Sequence, residues 1–591
     1  MGLEACYTLA VVGALLACLI ANVAAPDVIF MWAITILALL QVITPEDAFA
    51  GFANEGMLTV GLLFVVAAGL RDTGILDSLS QRILGNSKTA NGAVFRLALV
   101  IVPLSAFLNN TPIVAMFVPV VLGWCRRSDV APSKLLIPVS YMAILGGTCT
   151  LIGTSTNLVV NGMMIKAGVT PMSLFELSWI GIPYAVIGVI YLLVCGGYLL
   201  PNRKDLLEQL SESRREYMAE MLVVPRSRLV GKTVEEAGLR QLPGLYVVEI
   251  NRNGQLITPV GPDEVIEDDD HLIFTGIVSS IIELEKISGL QPVDESARSR
   301  TAHEKRRSRM CEVVVSQTSP LVGQTVREAD FRATYGAAIV AVHRSGSRVA
   351  RKIGDIRMEP GDTLLLQTGP HFERAYRNDP AFYLVSSVSE YSPARTERGW
   401  IAGILIVALV ALMSTNVIST VVAAALIALA MMAVGCLSTS DARKSIEWST
   451  LITIACAFGV GKALENSGAA TAVARAFVNL TGDSGPWAAL AATYLLVSIV
   501  TELITNNACA ALMFPICLET ARIYDVSERP FLMALVLAAS ASFSSPIGYQ
   551  TNMMVYGPGG YKFLDFLKVG APLNLLLWII ASVMIPLVWP F

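Results

Sequence analysis

The chain has 591 residues, of which 54% are hydrophobic and only 15% are charged, and its formal net charge is −4. A soluble protein of this length cannot bury so large a share of apolar side chains, so the composition indicates an integral membrane protein. The basic residues cluster in loops rather than on an aromatic-rich face, which gives no reason to expect a nucleic-acid partner.

Apolar stretches of membrane-spanning length follow one another along the chain. The first begins after Glu4 without a basic leader, so we interpret it as a membrane helix and not as a signal peptide. None lies between 201 and 398, which predicts a soluble domain between two membrane halves. Spans are predicted near 5–24, 28–45, 56–70, 179–199, 399–414, 418–437, 449–463 and 570–590, with longer interrupted stretches at 92–123, 135–165, 486–520 and 530–556.

The two membrane halves repeat each other at a shift of about 395 residues. The segment at 103–119, PLSAFLNNTPIVAMFVP, matches IVTELITNNACAALMFP at 499–515. In the same order, RDTGILD (71–77) matches ENSGAAT (465–471), GTSTNLVV (153–160) matches IGYQTNMMVY (547–556), and FELSWIGIP (175–183) matches DFLKVGAP (565–572). Matches in one order along both halves indicate an internal duplication.

The loop charges favour inverted repeats. If 92–123 and 486–520 are re-entrant hairpins, each half crosses the membrane five times; if both cross fully, each half crosses six times and the halves are parallel. The inverted arrangement places the acidic loop TPEDAFAGFANEG opposite the basic loops, as the positive-inside rule requires, with Arg522 and Arg529 as exceptions. The insert is then cytoplasmic and both termini are outside. The basic residues on the cytoplasmic side are Arg71, Arg82, Lys88, Arg126, Arg127, Lys134, Arg203, Lys204, Arg443 and Lys444.

Paired asparagines interrupt both apolar hairpins, Asn109-Asn110 in the first and Asn506-Asn507 in the second. Non-helical backbone at membrane depth must line a cavity or be buried in protein, and broken helices in both repeats mark the central site of many secondary transporters. Neutral side-chain and backbone oxygens suit an alkali cation, and helix N-termini suit an anion. The alternative is that each asparagine only joins helices by hydrogen bonds, but equivalent positions in two repeats favour a site.

The tips NNT and TNN, each with a hydroxyl residue four positions earlier, and the later GTSTN and GYQTN segments resemble the divalent anion/sodium symporter (DASS) family. The resemblance covers about 400 residues and implies a homodimer that carries a divalent anion with Na⁺ by an elevator movement. The family's tip motif is Ser-Asn-Thr. Here Asn110 and Asn506 keep the central asparagine, whereas Asn109 replaces the first serine, and Thr505 and Asn507 replace the flanking residues of the second copy. These departures favour a sulfate-like oxyanion over a dicarboxylate such as succinate or citrate.

The repeat and the resemblance together assign two sets of residues. No Arg, Lys or His lies in these stretches, so the charge of the anion must be balanced by Na⁺, helix N-termini and neutral donors. Na⁺ is expected at Ser105, Asn109, Asn110, Gly153, Asn157, Thr501, Thr505, Asn506, Gly548 and Asn552, and the anion at Asn109, Asn110, Thr111, Thr154, Ser155, Thr156, Asn506, Asn507, Ala508, Gln550 and Thr551.

Glu502 is the acid embedded in a hairpin. An intramembrane carboxylate is a candidate for function, here proton coupling. The alternative, which we favour, is a structural partner of Lys462 or of backbone amides.

The soluble insert is doubled as well, because 228–276 matches 320–369 at a shift of 92–93. Each copy predicts a short strand, a helix opened by Gly-x-Thr-Val, an alternating strand and a last strand after an acidic turn. The copies resemble RCK C-terminal (TrkA-C-like) domains, which implies regulation by a small, unknown ligand or, alternatively, a passive oligomerisation module. No Gly-x-Gly-x-x-Gly segment follows a strand, so no dinucleotide is expected, and ARSRTAHEKRRSR (297–309) is a basic linker.

The sequence therefore predicts a mainly α-helical polytopic protein of the cell (inner) membrane with an α+β insert. The repeats are expected at 1–200 and 398–591, with hairpins at about 92–123 and 486–520, and the RCK-C-like domains at 208–290 and 310–385. We expect a transporter and not an enzyme, since no catalytic constellation is visible, and Na⁺ rather than a transition metal. A ligand-gated channel or exchanger is the alternative, although TVG at 59–61 lacks the Tyr-Gly of a potassium filter. Ten cysteines without a CxxC pair indicate packing.

Overall fold

The chain forms two compact units. The membrane unit contains Met1–Arg203, Pro393–Tyr556 and Tyr561–Phe591, and the insert unit contains Lys204–Ser392 and Gly557–Gly560. Arg82, Lys88, Lys204, His303, His371 and the predicted linker at 297–309 lie outside the described residues. The computed structural model describes every residue except 1, 22, 74–88, 129, 204–217, 240–244, 253–254, 258–259, 262, 277–286, 288, 293–309, 317–318, 345–346, 350, 369–371, 373–375, 377–378, 380, 388–397, 416 and 482–484.

Helices occupy each apolar stretch of the first membrane half. Asn54 caps α4 by accepting hydrogen bonds from the backbone amides of Gly56 and Met57. The described helices are α1 (Leu3–Ile20), α2 (Pro26–Leu39), α3 (Pro45–Phe49), α4 (Glu55–Asp72), α5 (Ala90–Phe107), α6 (Asn110–Ser128), α7 (Leu136–Gly147), α8 (Ser155–Lys166) and α9 (Ser178–Leu199).

Two antiparallel sheets form the insert unit. The first has the strand order β3-β2-β4-β1-β5, and the second repeats it as β8-β7-β9-β6-β10. Each sheet has its own apolar core, around Phe274 in the first and Phe331 in the second. The elements are β1 (Met218–Val223), β2 (Leu245–Arg252), β3 (Gln255–Ile257), β4 (His271–Gly276), β5 (Leu290–Pro292), β6 (Met310–Val315), α10 (Phe331–Tyr335), β7 (Ala337–Arg344), β8 (Ser347–Arg348), β9 (Thr363–Thr368) and β10 (Phe382–Ser387).

The helix predicted to begin at each Gly-x-Thr-Val segment does not begin there: turns follow at 234–239 and 326–330, and in the second copy the helix α10 begins only at Phe331. Thr233 and Glu236 exchange the two hydrogen bonds of a capping box, and Thr325 and Glu328 do the same. However, Thr233 also forms a β-bridge with Val265, and its counterpart Thr325 bridges to Arg357. The bridge holds each threonine against the sheet, so the residues that follow it form turns and not the first turn of a helix.

The second membrane half again places helices on the predicted stretches, so the mainly helical prediction is confirmed. They are α11 (Gly399–Thr415), α12 (Thr420–Ala433), α13 (Thr439–Lys444), α14 (Trp448–Asn466), α15 (Ala469–Thr481), α16 (Gly485–Leu503), α17 (Asn506–Ile523), α18 (Arg529–Ser540), α19 (Gln550–Tyr556) and α20 (Phe563–Val588). Among the described residues, six segments are long and apolar enough to cross a membrane: Leu3–Ile20, Pro45–Asp72, Ala90–Phe107, Ser178–Leu199, Gly485–Leu503 and Phe563–Val588.

Burial separates inner from outer helices. Every residue of α7 and nearly every residue of α18 is buried, whereas α9 leaves Trp179, Ile190 and Val194 exposed. A helix that is apolar on all sides belongs to the interior of a bundle, and an exposed apolar side suits contact with lipid. The inner pair α7 and α18 therefore positions the polar segments that follow each of them.

Each insert sheet contains the same ion pair. Arg252 donates two hydrogen bonds to Asp270, and Arg344 donates two to Asp362, at 2.8–2.9 Å. Both carboxylates are fully buried, and these hydrogen bonds raise the pKa of each guanidinium above its ordinary value. Removing the arginine would leave a buried carboxylate without its charged partner, which is costly.

We expect Arg344→Met to lower the opening free energy of β7 and β9 by about 2 kcal/mol, or about 30-fold in amide exchange rate. Hydrogen exchange with mass spectrometry on the whole protein measures this. Arg327→Met is the matched control, because the Arg327–Asp355 pair is more than half exposed, and exposed pairs contribute ~0–1 kcal/mol. Equal exchange in the two variants would contradict the structural role of the buried pair.

Candidate functional site

Tip 1 is the turn between α5 and α6, residues 105–111. The Ser105 hydroxyl donates to the Ala143 carbonyl of α7 at 2.7 Å and lies 2.7 Å from the amide of Asn110. The side-chain amide atom of Asn110 that faces Ser105 Oγ also lies 3.0 Å from the Ala143 oxygen and 3.2 Å from the Gly153 oxygen. Ser105 and Asn110 are fully buried. Three of the predicted sodium-binding residues, Ser105, Asn110 and Gly153, thus meet at one oxygen-rich point.

Tip 2, residues 501–507 between α16 and α17, has the same pattern. The Thr501 hydroxyl donates to the Ala539 carbonyl of α18 at 2.7 Å and lies 2.8 Å from Asn506 Oδ1. Gly548 packs closely here, because a Cβ at this residue would lie 2.8 Å from the Thr501 carbonyl oxygen. The second predicted set, Thr501, Asn506 and Gly548, is therefore also brought together.

The chain between the inner helices is bridged by asparagine. Break 1 (148–154) follows α7, and Asn157 Nδ2 donates to the carbonyl oxygens of Gly147 and Thr150 at 3.2 and 2.8 Å. Break 2 (541–549) follows α18, and Asn552 Nδ2 donates to those of Ser542 and Ser545 at 2.9 and 3.0 Å. Each asparagine thus supplies donors to carbonyls that a continuous helix would have satisfied.

One difference separates the two breaks. Asn552 Oδ1 accepts a hydrogen bond from the Ser140 hydroxyl at 2.7 Å, and Thr551 lies beside it. Asn157 Oδ1 is buried and finds no partner among the described residues. A buried amide oxygen without a donor costs free energy, and a cation would satisfy it.

Each tip contacts the break of the opposite repeat. Thr111 of tip 1 donates to Gln550 Oε1 at 3.0 Å. Asn507 of tip 2 accepts at Oδ1 from the hydroxyls of Ser155 and Thr156 at 3.1 and 3.2 Å. Thr111 corresponds to Asn507, and Gln550 to Ser155, in the sequence repeat. The predicted anion-binding residues therefore lie in two reciprocal contacts between the halves.

Three predicted residues do not join these contacts in the described part of the chain. Asn109 and Thr505 are the half-buried, non-helical residues of the tips, and Ala508 is buried and has no polar side chain. Their assignment to the sites stays a prediction.

Sequence reasoning missed two residues. Tyr549 is buried, and its hydroxyl bonds to the Asn110 amide and lies 3.1 Å from the Thr154 hydroxyl. Glu447, at the start of α14, lies 3.5 Å from Gln550 Nε2 and accepts from Thr450. Tyr549 aligns with Thr154 in the repeat. A larger hydroxyl-bearing residue at an equivalent position was the feature of the sequence that could have indicated its role. For Glu447 the signal was an acid immediately before an apolar stretch.

Glu502 is held by neutral donors. It accepts hydrogen bonds from the Ser544 amide and the Asn574 side chain at 2.8 Å and from the Ser542 hydroxyl at 3.2 Å. Lys462, predicted as one partner, pairs with Glu465 instead, one helical turn away on α14. Of the two structural partners expected for Glu502, a backbone amide is present, that of Ser544, and Lys462 is not. Glu502 anchors break 2 to tip 2.

The chemistry of the cluster suits ions held without protein counter-charges. Carbonyl, hydroxyl and amide oxygens are ligands for hard cations, and the residues around Asn110 and Asn157 offer several of them. The hydroxyls of Thr111, Ser155 and Thr156 and the N-termini of α6, α8, α17 and α19 offer donors to an anion. The arrangement can therefore bind a cation and an anion close to each other.

A family model described as "Citrate transporter" (CitMHS) matches residues 16–527. The chain belongs to this family. It is a membrane transporter of the divalent anion/sodium symporter type, as the tip motifs predicted, and the family is one of transporters and not of enzymes. With its apolar helices, the protein is a multi-pass membrane protein.

Several relatives match almost the whole chain, including two of Chlamydomonas reinhardtii and one of Synechocystis. A "Putative sulfur deprivation response regulator" of Chlamydomonas reinhardtii is 36% identical, over 94% of this chain and 97% of its own. An uncharacterized transporter of Synechocystis is 31% identical, over 94% and 92%. "Sodium/sulfate cotransporter 1" of Chlamydomonas reinhardtii is 28% identical, over 94% of this chain and 87% of its own.

Replacing Gly153 tests whether the close approach of break 1 to tip 1 is needed for transport. A Cβ there would lie 2.5 Å from the Gly147 oxygen and 2.9 Å from the Ser105 oxygen, so backbone must shift. We expect Gly153→Ala to reduce anion uptake into proteoliposomes at least about 20-fold, a loss near 2 kcal/mol, while the protein still elutes as one peak on size exclusion. In the control Gly123→Ala, the added Cβ meets nothing within 4 Å. Uptake at wild-type rate in Gly153→Ala would show that the junction is not needed.

Proposed function

We propose that the protein is a Na⁺-coupled symporter of a small divalent oxyanion, with sulfate favoured, in the cell (inner) membrane. The observation that carries the proposal is the reciprocal contact of each tip with the opposite break, Thr111 with Gln550 and Asn507 with Ser155. An anion between the tips would be held by donors from both repeats at once. The names of the sodium/sulfate cotransporter relatives support the same substrate and coupling ion.

Na⁺ would be held by oxygens of two regions. In the first, Ser105, Asn110 and Gly153 converge, and Asn157 of α8, which bonds to the carbonyls of Gly147 and Thr150, has an Oδ1 without a partner among the described residues. In the second, Thr501, Asn506, Gly548 and Asn552 occupy the equivalent places. Bound Na⁺ would also provide positive charge for the anion, since no basic residue lies in either tip or break.

Sulfate is favoured on the chemistry of the donors. Neutral hydroxyl and amide donors from two tips can surround a compact tetrahedral oxyanion, whereas a dicarboxylate needs two separated carboxylate cradles. The second candidate is citrate or a dicarboxylate such as succinate, and the description of the matching family favours it. Competition between these anions decides between the two candidates.

The two membrane halves are proposed to be inverted repeats with re-entrant tips. The matching hydrogen bonds of Ser105 and Thr501, and of Asn157 and Asn552, support the repeat. Arg522 and Arg529 pair with Glu519 and Glu176 but stay exceptions to the charge rule, because that rule counts Lys and Arg and not net charge.

An elevator movement is proposed because the N-caps of α4 and α14 contact different points of the equivalent helices α8 and α19. The N-cap Asn54 of α4 donates to the Gly162 carbonyl near the end of α8. The N-cap Glu447 of α14 instead contacts Gln550 at the start of α19, the counterpart of Ser155. These contact points differ by seven residues, or ~10 Å of helix at 1.5 Å per residue. If α8 and α19 moved by this distance past α4 and α14, the two contact arrangements would be exchanged.

The insert is proposed to consist of two cytoplasmic RCK-C-like domains, at 208–290 and 310–385, that regulate transport through a small ligand. Their common strand order supports the duplication. A homodimer is proposed from the resemblance to the symporter family. A passive oligomerisation role for the insert is the alternative, and it makes a different prediction for a deletion.

In wild-type proteoliposomes, we expect sulfate to compete for labelled sulfate uptake better than succinate or citrate, and only with a Na⁺ gradient. Asn507→Ala or Thr111→Ala should raise the sulfate KM about tenfold while changing the half-saturating Na⁺ concentration less than about twofold, because one donor to a charged group is lost. Thr493→Ala, which removes a hydroxyl that bonds within α16, is the control. Succinate outcompeting sulfate would overturn the ranking and leave the family assignment in place.

Deleting 210–390 and joining the halves with a flexible linker tests the insert. If the two domains regulate, transport persists with a changed KM or maximal rate, because the tips and breaks all lie outside the deletion. Uptake and size exclusion of the same preparation give the readout. A folded but inactive deletion protein would contradict a purely regulatory role.

A further inference from the structure

Tyr549 connects the two repeats at their centre. It belongs to break 2, yet its hydroxyl reaches the Asn110 amide of tip 1 and lies 3.1 Å from Thr154 of break 1. The preceding Gly548 packs on the Thr501 carbonyl of tip 2. A change in the orientation of the Asn110 amide therefore directly alters the hydrogen bonding of the Tyr549 hydroxyl, which lies among the proposed anion donors.

The Asn110 amide fits its pocket in either of two placements related by a half-turn, and the surrounding acceptors favour the first when no cation is present. In one, Nδ2 donates to Ser105 Oγ, the Ala143 oxygen and the Gly153 oxygen, and Oδ1 accepts from the Tyr549 hydroxyl. In the other, Oδ1 faces those three oxygens and Nδ2 donates to Tyr549. Without a cation the first orientation gives every group a partner, because the Ser105 hydroxyl donates to the Ala143 oxygen and the Asn110 amide donates to the Gly153 oxygen and to Ser105 Oγ. A cation among the three oxygens favours the second, since it attracts Oδ1 and repels the amide hydrogens.

The half-turn decides what Tyr549 can do with its one hydroxyl hydrogen. In the first orientation Tyr549 gives that hydrogen to Asn110 Oδ1. In the second it receives a hydrogen bond from Asn110, so its own hydrogen is available to Thr154, to the Asn506 side chain of tip 2 or to an anion. A phenolic hydroxyl is both donor and acceptor, which permits this exchange without a change of protonation.

We propose that Tyr549 is the positioning residue that couples the two substrates: cation binding beside Asn110 turns the amide and frees the Tyr549 hydroxyl to donate to the anion. The inference rests on the proposed function and specifies how its two ions depend on each other. Thr154, the repeat counterpart of Tyr549, has too short a side chain to span the same gap from its own break, so the link exists at tip 1.

The test is the linkage between the two ions in purified full-length protein. Labelled sulfate binding is measured over a series of Na⁺ concentrations, and Na⁺ binding alone is followed as thermal stabilisation without sulfate. Linkage is reciprocal, so the factor by which Na⁺ strengthens sulfate binding measures the coupling. Tyr549→Phe keeps the ring and removes the hydroxyl, and Tyr549→Thr substitutes the residue of the other repeat. Tyr191→Phe is the control, because the hydroxyl of this half-buried residue donates to the Val569 carbonyl away from the tips.

We expect both Tyr549 variants to lower the coupling factor about tenfold, the worth of one hydrogen bond to a charged group, with stabilisation by Na⁺ alone retained. Tyr191→Phe should keep the wild-type factor. A coupling factor within about twofold of wild type in Tyr549→Phe, or equal loss of Na⁺ stabilisation and sulfate binding, would overturn the inference. Absence of Na⁺-dependent sulfate binding in the wild-type protein would overturn the proposed function itself.

Discussion

The structure depends on satisfying backbone groups where helices end at membrane depth. Lipid offers no hydrogen bonds, so the carbonyls freed at the two breaks must find donors in the protein. Asn157 and Asn552 each supply two, and Ser105 and Thr501 each bond one carbonyl of the neighbouring inner helix. The residues that make irregular backbone tolerable are thus the same residues that place oxygens and donors beside an ion.

The reciprocal contacts mean that neither half completes the site alone, while three departures from symmetry make the halves chemically different. Asn157 Oδ1 has no donor within the described ranges, whereas Ser140 donates to Asn552 Oδ1. Tyr549 stands where the first repeat has Thr154, and Glu502 stands where it has Ala106. The two proposed cation regions therefore differ in neighbouring charge and in their contacts with the proposed anion site. A shared architecture with unequal chemistry suits coupled binding of unlike ions.

Much of the fold followed from hydrophobic patterning and repetition, because long apolar stretches and duplicated polar interruptions are local signals. The positions of Asn110 and Asn506 at the tips were predicted for that reason. Tyr549 and Glu447 were not, since their roles arise from contacts with Asn110 and Gln550 that lie more than a hundred residues away. The turns at Thr233 and Thr325 were predicted as helices because the capping signal is local and the competing β-bridge is not.

Protection of single cysteines at the two tips by one anion tests most directly whether both tips belong to one Na⁺-dependent anion site. Asn109→Cys and Thr505→Cys are placed separately in a background without Cys6, Cys18 and Cys195, since the other seven cysteines are buried. Maleimide labelling of variants that retain uptake is then followed with sulfate in Na⁺ or K⁺. We expect sulfate to protect both tips at the same half-maximal concentration, and only in Na⁺. Protection of one tip alone, or equal protection in K⁺, would contradict a shared Na⁺-dependent anion site.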